Sequence, residues 1–155
     1  PETQVLVIGH GGEQVAQIAE DVGEDVVIAV QEEQLGTGHA VLTAQRALSG
    51  KVGDAVVLYG DTPLLEPGVL RALVEAPSGG VKVLTMKVDN QSGYGRIVRD
   101  GDGYVTGIVE ERDANAQQKS IREVNTGIIM APRIGWVFPE GGGGGAGGGV
   151  GRWGR

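Results

Sequence analysis

The first half of the chain repeats one pattern, in which an apolar strand segment is followed by an amphipathic helical segment. Strands are predicted at residues 4–8, 25–30 and 55–59, and helices at residues 12–22, from 37 to near 49, and from 67 onwards. In the third helix, Leu70, Leu73 and Val74 are predicted to face inward. Strands joined by helices are expected to be parallel, with right-handed crossovers, which is typical of an α/β fold.

The pattern changes after residues 77–80. From there, strand segments separated by a turn replace the alternation of strand and amphipathic helix, which indicates antiparallel strands. A strand is predicted at residues 81–88, and the turn at residues 100–103 separates strand segments at 97–98 and 104–110, as in a hairpin. A loop or short helix is expected at residues 111–120, and a last strand at 124–130. The sequence therefore predicts a mixed, mainly parallel sheet.

Length and composition narrow the class of protein. A chain of 155 residues suits a single domain, and the net charge of −7 argues against nucleic acid or an anionic membrane as a main partner. Cysteine is absent, so neither a disulfide framework nor a thiolate zinc site is possible. No apolar run approaches the ~20 residues of a membrane span. A cytoplasmic location is expected.

Both ends of the sequence are unusual. The chain begins at Pro1 and enters a strand almost at once, while ten of its 29 glycines lie in the last fifteen residues. We expect a partial domain at residues 1–140 and a disordered, non-native glycine-rich tail at 141–155. The chain is thus interpreted as an internal fragment, truncated at both ends.

A polar, glycine-containing stretch follows the second strand. Gly36 and Gly38 flank Thr37, and such glycines let the backbone approach a flat or anionic ligand closely. Gln31 adds an amide that donates and accepts, as reading the edge of a nucleobase requires. The alternative is a tight strand-to-helix turn without a ligand. Because ligands of open α/β sheets lie beyond the carboxyl ends of the strands, this stretch is a candidate binding loop.

A carboxylate lies just beyond the third strand. Asp61 follows Tyr59 and Gly60, and it is either a turn residue or a ligand for Mg²⁺, which prefers hard oxygen ligands and usually shares them with phosphates. The loops after Ile8, Val30 and Tyr59 are expected to converge on one site.

Three residues of the second half are candidate contacts for a sugar. Gly95 could let a sugar pass close to the backbone, or it could be a hinge. Glu110 could bind a sugar hydroxyl, or it could be an exposed acid. Asn125 interrupts an apolar strand, which requires that its amide be satisfied, and a ligand is one way to satisfy it.

Five motifs stand in the order found in one bacterial enzyme family. They are Gln34-Leu35-Gly36-Thr37-Gly38-His39-Ala40, Leu58-Tyr59-Gly60-Asp61, Gly93-Tyr94-Gly95-Arg96-Ile97, Val105-Thr106-Gly107-Ile108-Val109-Glu110 and Asn125-Thr126-Gly127-Ile128. Over residues 4–130 the chain resembles the bacterial bifunctional N-acetylglucosamine-1-phosphate uridylyltransferases. The resemblance implies a Rossmann-like, three-layer nucleotide-diphospho-sugar transferase fold. It also implies a Mg²⁺-dependent enzyme that makes UDP-N-acetylglucosamine, a cell-wall precursor, and pyrophosphate from UTP and N-acetylglucosamine 1-phosphate.

The resemblance also implies roles for individual residues. Gln31, Gly36 and Thr37 would contact the uracil and ribose. Asp61 would bind Mg²⁺, with Tyr59 and Gly60 beside it. Gly95, Glu110 and Asn125 would contact the sugar.

Three features of the family have no counterpart in this sequence. They are the first strand with its basic glycine-rich loop, a second metal-binding Asn, and the β-helix acetyltransferase domain through which full-length members form trimers. No catalytic residue is therefore assigned, and the chain alone is expected to have little or no activity. A nucleotide-sugar-dependent glycosyltransferase and a non-catalytic nucleotide-sugar-binding module are the alternatives.

Overall fold

The computed structural model describes residues 3–22, 26–51, 53–62, 64–77 and 80–132. These residues form two compact units, one comprising the described residues up to 51 and the other the described residues from 53 onward. The boundaries 1–140 and 141–155 stay predictions, because residues 133–155 lie outside the described part. In that described part, no helix is long and apolar enough to cross a bilayer.

The first unit is a pair of strand-helix repeats. It contains β1 (Gln4–Ile8), α1 (Glu13–Val22), β2 (Val26–Val30) and α2 (Thr37–Ala47). The two strands are parallel, with Gln4 opposite Val26 and Ile8 opposite Val30. The predicted elements and their parallel pairing are confirmed. The helix between two parallel strands returns the chain to the end of the sheet at which the first strand began.

The second unit contains five strands and two helices. These are β3 (Asp54–Val57), α3 (Pro67–Glu75), β4 (Lys82–Lys87), β5 (Arg96–Arg99), β6 (Val105–Val109), α4 (Ala116–Lys119) and β7 (Glu123–Pro132). The predicted strand at 55–59 ends early, at Val57, so Tyr59 lies in the loop after β3 rather than in the strand.

Strand β7 is the centre of this sheet. One of its edges pairs with β4, while the other pairs with β3 near Ile129 and with β5 at Val124. All of these pairings are antiparallel, so β3 and β4 run in the same direction with β7 between them. The mixed α/β character is confirmed. However, only one of the five strand pairings among the described residues is parallel, because β7 separates the two strands that α3 connects.

The predicted hairpin is confirmed. Strands β5 and β6 pair antiparallel, and the turn between them is closed by the Gly103 amide, which donates to the Asp100 carbonyl at 3.1 Å. The Asp100 carboxylate accepts from the amides of Asp102 and Tyr104 at 3.0 and 2.9 Å. This turn uses Asp as turns commonly do, with its side chain bonded to the backbone that follows.

The core of the second unit lies between α3 and the sheet. Leu73, Ile128 and Met130 are buried there, and Leu70 packs against them. The prediction that Val74 faces inward is wrong, since the residue is 47% exposed. Residues 73 and 74 differ by about 100° around a helix, so the two cannot share a narrow buried stripe.

Candidate functional site

The loops that follow β1 and β2 lie side by side. The Gln31 amide donates to the Ile8 carbonyl at 2.8 Å, which continues the parallel ladder by one bond. The side chain of Gln34 covers Gly9, where an added Cβ would lie 2.6 Å from Nε2. Within the first unit, the expected convergence of these two loops is therefore observed, at the carboxyl ends of the parallel strands.

The Gln31 side chain is buried and holds the start of α2. Its Nε2 lies 3.1 Å from the Gly36 carbonyl oxygen and 3.0 Å from Nδ1 of His39. The sequence predicted that Gln31 would read a nucleobase. In the structure, Nε2 of this amide instead bonds atoms of the loop and of α2, which leaves Oε1 as the atom that can contact a ligand.

The amino-terminal end of α2 is open. Gly36 precedes the helix with φ at 98°, a conformation that favours glycine, and no side chain caps this end. The first turn carries no acidic residue, and Thr37 is exposed. The first amides of a helix have no intrahelical acceptor, so this end can donate hydrogen bonds to an oxygen of a ligand.

The three predicted sugar contacts come together in the second unit. The backbone N–H of Asn125 donates to the Gly95 carbonyl at 2.9 Å. A Cβ at Gly95 would lie 3.4 Å from Oε1 of Glu110 and 2.9 Å from Cγ2 of Ile108, so the Glu110 carboxylate lies beside the glycine backbone. Residues just after β6, in β7 and just before β5 thus bring the Glu110 carboxylate and the backbone of Asn125 to the backbone of Gly95, where the carboxylate can accept from hydroxyl groups.

Tyr59 belongs to the same neighbourhood. Its ring lies against Gly127, where a Cβ would be 2.6 Å from Cε2. The Gly127 amide in turn donates to Oδ1 of Asn125 at 2.9 Å. Oδ1 of Asn125 therefore accepts one bond from the chain itself and keeps a second lone pair, so a ligand could contact this side chain at Oδ1 or at Nδ2.

A clamp around Gly95, which we define as Arg96 and Glu111, was not predicted from the sequence. The Arg96 side chain is buried and donates through Nη1 to the Tyr94 carbonyl. Glu111 accepts from the Gly93 amide, and its Oε1 lies 3.6 Å from Nη2 of Arg96. The signal in the sequence was an arginine at the start of an apolar strand, which needs a buried partner.

Gly60 and Asp61 lie in an exposed turn after β3. The Thr62 hydroxyl donates to the Tyr59 carbonyl at 2.8 Å and closes this turn. Among the described residues, no group of three or more His, Cys, Asp or Glu side chains could hold a metal. A single exposed carboxylate suits a Mg²⁺ ion that binds together with phosphate groups, because Mg²⁺ often takes only one or two protein carboxylates.

The nine candidate residues therefore form two groups. Gln31, Gly36 and Thr37 lie in the first unit, and Tyr59, Gly60, Asp61, Gly95, Glu110 and Asn125 lie in the second. That both groups bind one ligand stays a prediction.

Solved structures with this fold include HddC and a UDP-glucose pyrophosphorylase. The chain superimposes on HddC from Yersinia pseudotuberculosis with a TM-score of 0.64 at 21% identity, covering 86% of this chain and 57% of HddC. It superimposes on an apo UDP-glucose pyrophosphorylase with a TM-score of 0.60 at 16% identity, covering 86% of this chain and 60% of the other. The architecture is thus an α/β fold shared with these proteins.

The sequence places the chain in a family. Residues 2–124 match the MobA-like NTP transferase domain, and the chain belongs to that family. It is 52% identical over 137 residues to the bifunctional protein GlmU of Corynebacterium glutamicum and 50% identical over 132 residues to that of Dechloromonas aromatica. These matches cover 83% and 85% of this chain, and in each case 28% of the relative.

Proposed function

We propose that this chain forms part of a uridylyltransferase that makes UDP-N-acetylglucosamine and pyrophosphate from UTP and N-acetylglucosamine 1-phosphate. The observation that supports this most strongly is the meeting of Gly95, Glu110 and Asn125, which are far apart in sequence, around one stretch of backbone. The identity of 50–52% to proteins named GlmU supports the same substrate class. The cytoplasmic location expected from the sequence belongs to this proposal.

In the first unit, the proposed ligand is the uridine of UTP. A backbone amide at the open end of α2 and Oε1 of Gln31 offer a donor and an acceptor close together. Uracil presents a carbonyl oxygen next to a ring N–H, which is the complementary pair. Gly36 and Thr37 would border the base and the ribose, because neither carries a bulky side chain that would block the approach.

In the second unit, the proposed ligand is the amino sugar. Nδ2 of Asn125 donates and the Glu110 carboxylate accepts, which suits the acetamido carbonyl and the hydroxyl groups of the sugar. The Arg96–Glu111 clamp holds residues 93–95 in place, so that the Gly95 backbone is preorganised for close approach.

Asp61 would hold Mg²⁺, which supplies charge neutralisation for the phosphates when bound. Attack by a sugar phosphate on the α-phosphorus of UTP needs alignment and electrostatic stabilisation more than covalent help from the protein. Tyr59 would support this carboxylate by packing on Gly127, and Gly60 would lie beside it in the exposed turn.

Calorimetry with UDP-N-acetylglucosamine, with and without Mg²⁺, tests the proposal on this chain and on Thr37→Val. We expect binding that Mg²⁺ strengthens and that Thr37→Val weakens. An absence of binding to the folded wild-type chain would contradict the proposal.

A pyrophosphate-release assay with UTP separates the remaining alternatives. We expect little or no turnover by this chain alone. Release of UDP in the presence of an acceptor would instead indicate a glycosyltransferase, and binding without turnover by any longer form of the protein would indicate a non-catalytic module.

A further inference from the structure

The hydrogen bonds of Gln31 fix which way its amide points. Nε2 lies 3.1 Å from the Gly36 carbonyl oxygen and 3.0 Å from Nδ1 of His39. A carbonyl oxygen can only accept, so the atom that faces Gly36 must be the nitrogen. The same nitrogen then donates to Nδ1 of His39, and the neutral ring therefore carries its proton on Nε2.

This geometry leaves Gln31 a single contact to offer. No described residue donates to Oε1. Gln31 is only 9% exposed, so the orientation of its amide depends on hydrogen bonds within the chain. Oε1 is thus an acceptor with a fixed direction.

We propose that His39 is a positioning residue that makes Gln31 an acceptor-only contact, so that the site prefers a base whose ring nitrogen donates. The proposal rests on the proposed function for the identity of the ligand as a nucleotide. Uracil donates through N3–H beside a carbonyl. Cytosine has an unprotonated N3 beside an amino group, so its N3 would face Oε1 with two acceptors opposed.

His39 is needed for this because Gly36 alone holds the amide weakly. The Gly36 carbonyl oxygen also accepts the first bond of α2, from the Ala40 amide at 3.2 Å, and so shares its capacity between two donors. Without an acceptor at residue 39, Nε2 keeps one bond instead of two. The amide can then rotate, and its preference for uracil falls.

Two variants of His39 with the same shape separate this role from packing. Asn carries Oδ1 at the position of Nδ1 and can accept from Gln31, whereas Leu has the shape of Asn and cannot accept. Arg46→Leu is the control, because Arg46 is exposed in the last turn of α2, at the end of the helix away from the candidate site. Amide NMR spectra of each variant establish that the fold is retained.

The test compares UMP with CMP, each titrated into the 155-residue chain and followed by NMR, so that neither metal nor turnover is involved. We expect wild type, His39→Asn and Arg46→Leu to share one preference for UMP. We expect the ratio of the two dissociation constants to fall about three- to tenfold in His39→Leu, the range set by losing one hydrogen bond. Wild-type ratios in His39→Leu would overturn the inference and leave the proposed function standing.

Two further outcomes are decisive. If the folded wild-type chain binds neither nucleotide, the proposed function fails and this inference fails with it. Independently of any ligand, the ring nitrogen shifts of His39 at mildly alkaline pH should show a proton on Nε2. A proton on Nδ1 would overturn the inference, because Nδ1 could then not accept from Gln31.

Discussion

The aromatic ring of Tyr59 lies against the backbone of Gly127, so close that a Cβ at residue 127 would be 2.6 Å from Cε2. Gly127 has φ at 82°, which favours glycine, and its amide donates to Oδ1 of Asn125. The contact therefore joins the turn that contains Asp61 to the strand that carries Asn125.

Gly127→Ala is expected to destabilise the second unit. The methyl group would collide with the Tyr59 ring. Residue 127 would also have to keep a positive φ, which costs about 1–3 kcal/mol for a residue other than glycine. Urea unfolding measures the loss. Gly107→Ala is the control, since a Cβ there meets nothing within 4 Å, and a similar loss in both variants would contradict this explanation.

Glu110→Gln is expected to weaken the binding of UDP-N-acetylglucosamine about tenfold, or ~1.4 kcal/mol, because a charged acceptor for sugar hydroxyls becomes a neutral one. Affinity for UDP, which has no sugar, should stay constant. Calorimetry with both ligands gives the ratio. Asp113→Asn removes an exposed carboxylate three residues away and should leave the ratio of the two affinities unchanged. An equal loss of affinity for both ligands in Glu110→Gln would mean that Glu110 does not contact the sugar.

Lys82→Met tests how α3 is terminated. The buried Lys82 ammonium donates to the carbonyls of Leu73 and Val74 at 3.0 and 2.9 Å, where the last carbonyls of the helix lack intrahelical partners. Losing both bonds should lower the free energy of unfolding by about 1–3 kcal/mol. The exposed Lys87 on the same strand supplies the control Lys87→Met, which should change stability by less than ~0.5 kcal/mol. Equal effects would argue against a capping role.

Glu123 gives stability a dependence on pH. Its hydrogen bond with Arg99 lowers the pKa of the Glu123 carboxyl, although partial burial opposes this, and the Thr85 hydroxyl adds a second bond at 2.7 Å. A lowered pKa means that the stabilisation is complete above the ordinary glutamate pKa of ~4.3 and is lost as the pH falls through the lower, folded-state value.

The Glu123→Gln variant should therefore be less stable than wild type at neutral pH, by up to ~1 kcal/mol for a partly exposed pair, with the difference shrinking in acid. Urea midpoints at neutral and acidic pH measure it, with the exposed Glu66→Gln as control. A difference that grows on acidification would show that the sign is wrong.

Most helices and strands could be predicted from the sequence, because their apolar spacing is local information. Strand β1 was predicted with the observed bounds, and the hairpin followed from its Asp-Gly turn. The position of β7 between β3 and β4 could not be predicted, since pairing between distant strands depends on contacts that no local pattern contains. The parallel share of the sheet was overestimated for that reason.

The candidate site was predictable in residue type but not in the use of each atom. Asn125 was expected to need a partner, yet the partner of Oδ1 is the Gly127 amide two residues along the same strand. The direction of the Gln31 amide depends on where Gly36 and His39 lie in space, which the spacing of residues does not define.

The central place of β7 has a consequence for synthesis on the ribosome. Strands β3, β4 and β5 all emerge before the strand with which they pair, and among the described strands β7 is the last to leave the exit tunnel. Until then the β5–β6 hairpin is the one pairing among the described strands of the second unit that can form, and the edges of β3 and β4 stay unpaired. Nascent chains of this protein are therefore expected to need chaperone protection during that interval.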